Sequence, residues 1–219
     1  AQFFPRSKRG QSFRHQSLLP DHYQSHPHYH SFTIMNLLFP IVSGSDLTQN
    51  DLATINEWRK MEFNTDIPIS PKPDNEDWSN KFFFAKDPTG SILAFGTLRV
   101  TRVEFHQKTY SVFEFVSLVA TVKGKGYGAL LLNKIREYSI IHGKTLLGFC
   151  TSELIPFYLK AGLEVMPGDT DRFTFHKDQW SFPKESPGAA VFVSGEDGLI
   201  KEMKKHPEKI ALVTRHKKN

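Results

Sequence analysis

The period of apolar positions changes several times along this 219-residue chain, and each change marks a boundary between elements. Leu37 to Val42 (LLFPIV) is a short apolar run that reads as a first strand or its lead-in. Pro40, with no N–H for a ladder, confines it to an edge or a bulge. Between Leu47 and Phe63, Leu52, Ile55 and Trp58 recur at helical spacing with Asp51 near the start, which predicts an amphipathic helix. Residues 64–80 hold three prolines and many turn formers, so they predict a loop, placed to wall a substrate site. Two β-prone runs, KFFFAK and SILAFGTLRVTRVEF, then flank Asp87, Pro88, Thr89 and Gly90; proline presets one φ and glycine accepts a positive one, as a hairpin turn requires. A third run, TYSVFEFVSLVA, makes three consecutive antiparallel strands.

After a glycine-rich stretch, Leu131, Ile135 and Tyr138 fall at i, i+4 and i+7, and Gly143 suits a left-handed stop, so ALLLNKIREYSIIHG predicts a second amphipathic helix. KTLLGFC then reads as a buried strand, ELIPFYLKAG as a short helix ended by Gly162, and LEVMP and DRFTFHK as further strands. Beyond Asp178, GAAVFVSG predicts a strand, GLIKEMKKH a short helix stopped by Pro207, and KIALVTRH a last strand. The tail from 178 is expected to shape the acceptor pocket together with the 64–80 loop, or instead to extend the sheet or support a homodimer. No internal repeat is visible at periods of about 20 to 50 residues.

Composition narrows the class. With 39% hydrophobic residues and 19 Phe the chain can bury one sizeable core. No run approaches the roughly 18 to 20 apolar residues of a membrane-spanning helix, and the first residues do not resemble a secretory signal, so a soluble protein with no membrane partner and a cytoplasmic location is the default expectation. Cys150 is the single cysteine, which excludes an internal disulfide and any multi-cysteine metal site and agrees with a reducing compartment. The net charge of +5 is uneven: residues 1–34 carry Arg6, Lys8, Arg9 and Arg14 against Asp21, a net +3, which leaves +2 for the rest. The folded part is nearly balanced, and nucleic acid is not the expected partner. Residues 1–34, rich in Ser, Gln, His and Arg with no sustained period, read as a mobile leader. Its HPHYH cluster (His26, His28, His30) lacks acidic or cysteine partners nearby and reads as a solvated tail; no metal is expected.

The stretch LVATVKGKGYGALLL carries the strongest chemical signal. A strand that ends in glycines opening directly into a helix is suited to phosphate, because the first helix amides have no partner in the helix, the dipole adds positive charge, and glycine lets the backbone approach an anion closely. Two nucleotide motifs fail on spacing. The P-loop needs GxxxxGK followed by Ser or Thr, whereas Gly128 is followed by Ala129 and three leucines; the dinucleotide fingerprint needs a glycine where Ala129 stands. Lys123, two residues, Gly126, Tyr127 and Gly128, after a β-meander and before an aliphatic helix, resemble motif A of the GNAT superfamily of acyl-CoA-dependent N-acyltransferases. The usual form of that motif begins with Arg or Gln, so Lys123 departs from it. FCTSELIPFYLKAGLEV resembles the family's motif B, and the resemblance covers roughly residues 37 to 176.

The resemblance implies an α/β (α+β) GNAT fold over residues 35–177, with a mixed, mostly antiparallel sheet flanked by helices, and a strand-helix-strand extension of the same domain over 178–219. It implies transfer of an acetyl group from acetyl-CoA to an amine by direct attack in a ternary complex. The backbone of Gly124, Lys125, Gly126, Tyr127, Gly128 and Ala129 is then expected to hold the pyrophosphate, with charge added by Lys123 and Lys125. Leu118 and Val119 pair with the pantetheine arm, an N–H near Val119 polarises the thioester carbonyl, and Tyr158 protonates the departing thiolate.

Strand alternation puts Glu114 on one face with Val116 and Leu118, an apolar setting that suits a general base; a structural pairing with Arg99 or Arg102 is the competing reading, and Glu104 is the reserve base. Cys150 reads as a small buried hydrophobe rather than a nucleophile. Asp66, Asp74, Glu76 and Asp77 in the 64–80 loop could attract a cationic acceptor. The other class open at this stage is a non-catalytic module of the same fold that binds CoA or a protein. An acyl-homoserine-lactone synthase shares the fold but normally lacks the glycine motif.

Overall fold

A computed structural model describes residues 36–167, 169–175 and 188–215. The leader expected over residues 1–34, with its histidine cluster, lies outside the described residues. The elements follow the expected order. β1 (Ile41–Ser43) leads to α1 (Gln49–Phe63), then β2 (Lys81–Lys86), β3 (Ile92–Phe105), β4 (Lys108–Ala120), α2 (Tyr127–Ile141), β5 (Leu146–Thr151), α3 (Ile155–Lys160), β6 (Glu164–Pro167) and β7 (Phe173–Phe175). β8 (Gly188–Val193), α4 (Leu199–Lys205) and β9 (Ala211–Arg215) complete it. No described helix is long and apolar enough to cross a membrane.

One sheet runs in the order β1-β2-β3-β4-β5-β8-β6. Its pairs are antiparallel except β4 with β5 and β7 with β9. The expectation that the last strands extend the sheet holds in an unexpected place. β8 is inserted between β5 and β6, pairing with both, and β9 lies along β3. β3 is long enough to serve two neighbours on one edge: Ile92 to Leu98 pair with β2, and Thr101 to Glu104 pair with β9. Ala189, Ala190 and Val191 of β8 are fully buried, so the extension is part of the core.

Three clusters make that core. α2 presents Leu131, Leu132 and Ile135, all fully buried, to one face of the sheet, and Tyr138 stacks edge-on against Phe83 at 5.3 Å. On the opposite face α1 covers Phe82, Phe84, Phe95 and Val119 with Ile55 as its buried centre. Thr48 starts α1 by accepting the Asp51 N–H at 3.1 Å, and Asn64 ends it with φ 47°. Farther along β3 and β4, α4 covers Val103, Phe105, Val112 and Phe192. Burying each such side chain stabilises the fold by about 1.5–3 kcal/mol.

The α1 and α4 clusters meet the same ribbon at its two ends, and the residues between them are polar. Reading along that face, β3 shows Phe95, then Thr97, Arg99 and Thr101, then Val103 and Phe105; β4 shows Val119, then Ser117 and Glu114, then Val112 and Tyr110. Thr97, Thr101, Glu114 and Ser117 are all at most 6% exposed. A buried polar band in a sheet must satisfy itself or serve a ligand.

Candidate active site

The band is organised by a bulge. β3 and β4 stay in register from Phe105/Lys108 to Leu98/Phe115, and then Thr97 pairs with Ser117, so Val116 is an extra residue in β4. This corrects the expected face of Glu114. The bulge flips the alternation, and Glu114 shares its face with Ser117 and Val119 rather than with Val116 and Leu118.

Its setting is polar. Arg99, directly across the ladder, donates from Nε to Oε2 and from Nη2 to Oε1, both at 2.9 Å, and Thr101 donates to Oε2 at 2.8 Å. Arg99 also reaches Glu76 of the 64–80 loop at 3.3 Å. Bidentate guanidinium–carboxylate pairs are among the stronger hydrogen-bonded contacts in proteins. Of the two arginines named as structural partners, Arg99 is the one in place. Glu104 is exposed at the far end of the ribbon, and the cavity is built without it.

Beyond Glu114 the sheet opens. β4 pairs with β5 only at Phe113/Leu146 and Glu114/Leu147, while all six residues of β5 remain paired with β8 on the other side. Phe115 fills the apex of the gap: a Cβ on Gly148 would lie 2.1 Å from its ring, so only glycine leaves room there. The ring of Tyr158 lies 5.7 Å from that of Phe115.

The backbone edge that the gap exposes can be assigned. Thr121 donates its N–H to the Leu93 carbonyl of β3 at 3.0 Å, so alternation turns the amides of Ser117 and Val119 toward β3 and those of Leu118 and Ala120 toward the gap. The amides near Val119 that face the gap are therefore those of Leu118 and Ala120, and that of Val119 itself faces β3. Val119 itself is 2% exposed, in the cluster under α1.

The glycine turn stands at the mouth of the gap. Gly124 (φ 72°) and Gly126 (φ 79°) take the left-handed conformation, and Gly126 caps α2 without any side-chain bond. The Leu130 N–H donates to the Gly126 carbonyl at 3.0 Å and closes the first turn of α2; the leading amides of a helix are in general left to partners outside it. A Cβ on Gly128 would touch Ala120 at 3.7 Å and Phe157 at 4.0 Å, which binds the turn, the open strand and α3 into one unit.

A cavity of about 1660 Å³ joins these parts. Of the residues expected at the site, Glu114, Leu118, Lys123, Gly124, Gly126, Tyr127, Gly128, Ala129 and Tyr158 line it, whereas Val119 and Lys125 do not. Lys123 is paired with Glu62 of α1 at 2.8 Å. From the 64–80 loop, Asp66, Glu76 and Asp77 line the cavity and Asp74 does not. Asn56 of α1 fixes that loop, accepting the Ile69 N–H at 2.7 Å and donating to its carbonyl at 3.0 Å.

Tyr158 is 6% exposed, and burial, with the Cys150 sulfur adding to it, pushes its phenol well above the usual range, so it is protonated at neutral pH. Burial also pushes the Cys150 thiol up to about 11, which keeps the sulfur in its poorly nucleophilic form. Thr97 and Ser117, joined at 3.0 Å, line the cavity and were not expected from the sequence. Their signal was present: Thr97, Arg99 and Thr101 place three polar residues at period two inside an otherwise apolar strand.

A strand parting from its parallel neighbour at a bulge, with a glycine-capped helix at the opening, can be compared with known structures. The GNAT family N-acetyltransferase YhbS from Escherichia coli, solved in complex with CoA, superposes with a TM-score of 0.52 at 13% identity, covering 86% of this chain and 94% of that one. The chain has the GNAT fold. Two further neighbours are ElaA of Escherichia coli (TM-score 0.49, 13% identity, 71% of this chain and 98% of that one) and an acyl-CoA N-acyltransferase from Pseudomonas aeruginosa (TM-score 0.48, 14% identity, 72% and 99%). No family model matches the sequence, and no curated protein matches it either. In this chain β8 separates β5 from β6.

Proposed function

We propose that the protein is an acyl-CoA-dependent N-acyltransferase that uses acetyl-CoA and an amine acceptor. The observation that carries the reading is the open edge of β4, which leads from the Gly124–Ala129 turn to Tyr158 within one cavity. The pyrophosphate would be held by the amides at the start of α2, with charge from Lys123 once it leaves Glu62. The pantetheine arm would pair with the open edge of β4, where the Leu118 or Ala120 amide can stabilise the oxyanion as the amine attacks the thioester carbon. A C–N bond forms, the C–S bond breaks, the amine loses a proton, and the departing thiolate takes one from the Tyr158 hydroxyl. That YhbS, which shares the fold, was solved in complex with CoA supports the choice of cosubstrate.

Glu114 stands where the amine proton could be taken, with Thr97 and Ser117 beside it. A carboxylate that takes a proton gives up part of its attraction to the guanidinium paired with it. The same observation favours a second reading, in which Glu114 is structural and the protein binds CoA without turning it over.

Calorimetric titration with acetyl-CoA and desulfo-CoA tests the shared premise, and absence of binding by either rejects both readings. Thiol release with a panel of amines then separates them. Turnover that falls in Glu114→Gln while CoA affinity is kept supports the base; turnover that survives makes Glu114 a structural residue.

A further inference from the structure

At the end of the β3–β4 ribbon remote from the cavity, two imidazoles and a carboxylate converge from distant parts of the sequence. His106 sits at the hairpin tip, with φ 47° and Gln107 after it at φ 64°. His206 follows the last residue of α4, and Glu202 lies one helical turn before it. The His106 and His206 rings are 4.0 Å apart, and the three residues can offer ligand atoms that all lie within 4.8 Å of one another. We propose that His106, Glu202 and His206 form a binding site for a divalent transition ion of the zinc class.

The chemistry of the donors favours that class. Imidazole nitrogen suits Zn²⁺, Cu²⁺ and Ni²⁺, whereas Mg²⁺ and Ca²⁺ prefer all-oxygen shells. Metal–ligand bonds of about 2.0–2.2 Å place neighbouring donors roughly 3–4 Å apart, a separation that side-chain rotation can reach from donors within 4.8 Å of one another. Its supports are already built. Arg172 donates to the carbonyls of Met203 (3.0 Å) and His206 (3.1 Å), which fixes the end of α4. Glu208 approaches Nδ1 of His206 at 3.9 Å, where a carboxylate can orient the ring or take the fourth position.

The opposing charges are Lys205, which donates to Oε1 of Glu202 at 2.7 Å, and Lys108, which also faces that carboxylate. The ion would replace one of these contacts. Bound there, it would clip the hairpin tip to α4, and none of its ligands lines the cavity.

The leader histidines His26, His28 and His30 are a rival site, so the test uses the full chain with all three replaced by alanine. Titration with Zn²⁺ alone is expected to give one ion per chain in this background. His106→Ala, Glu202→Gln and His206→Ala should each weaken it by at least about tenfold, and Glu208→Gln by a smaller factor. Cobalt(II) should give the intense visible absorption of a four-coordinate ion, lost in His106→Ala, while circular dichroism of each variant confirms the fold. Zn²⁺ binding that disappears with the leader histidines overturns the proposal, as does binding that survives His106→Ala unchanged.

Discussion

Two places in the sheet ask a strand to change neighbours, and they are resolved in opposite ways. On one edge of β3, β2 ends at Leu98 and β9 takes over at Thr101, so the ladder is resumed within a few residues. On the facing edge of β4, β5 departs after Glu114 and, among the described residues, no other strand takes its place. The polar band lies between the two places; past it the resumed β3–β9 ladder is packed by apolar residues such as Val103 and Val213, both fully buried, whereas the open edge of β4 is bordered by a bulge and by a glycine of β5. An unpaired backbone edge inside a sheet is costly unless something pairs with it, so the open gap is where a ligand is to be sought.

The sharpest way to break this comparison is at the chemistry of the open gap. Tyr158→Phe should lower turnover by about 100-fold while acetyl-CoA affinity stays unchanged in titration. An equal loss in both would make the tyrosine a packing residue. The next effect is structural: Gly148→Ala forces its Cβ into the Phe115 ring and should destabilise the protein by about 2–3 kcal/mol in denaturant unfolding. Phe115→Leu in the same chain should restore part of that loss.

The sealed seam supplies the control. Val213→Ala should cost about 2 kcal/mol of stability and leave CoA affinity as it was. The smallest effect concerns pH. The Cys150 thiol is raised from 9.0 to about 11, so the stability it contributes is fully present below pH 9.0 and is lost as pH rises through about 11. The thiol borders the open cavity, so the loss should be on the order of 1 kcal/mol, and Cys150→Ala should remove it from denaturation curves taken across that range.

Most element types were legible because their periods are clean. Leu131, Ile135 and Tyr138 mark the buried face of α2, and Asp87 to Gly90 mark the hairpin turn. The turn that opens α2 was legible for the same reason, since Gly124 and Gly126 do take positive φ. The face of Glu114 was not. Period-two reading assumes an unbroken strand, and the bulge at Val116 is invisible in VFEFVSLVA because every residue there suits a strand. The place of β8 was hidden for another reason. Its apolar run announces a buried strand, but which neighbours it takes is decided by contacts far apart in sequence.

That insertion also bears on how the chain reaches its native state. β5 and β6 are made before β8, the strand that belongs between them, and until Val193 has left the ribosome the edges that will face β8 have only each other or solvent as partners. A premature parallel pairing of β5 with β6 across α3 would have to be undone before β8 could enter, so insertion of β8 is expected to come late in folding.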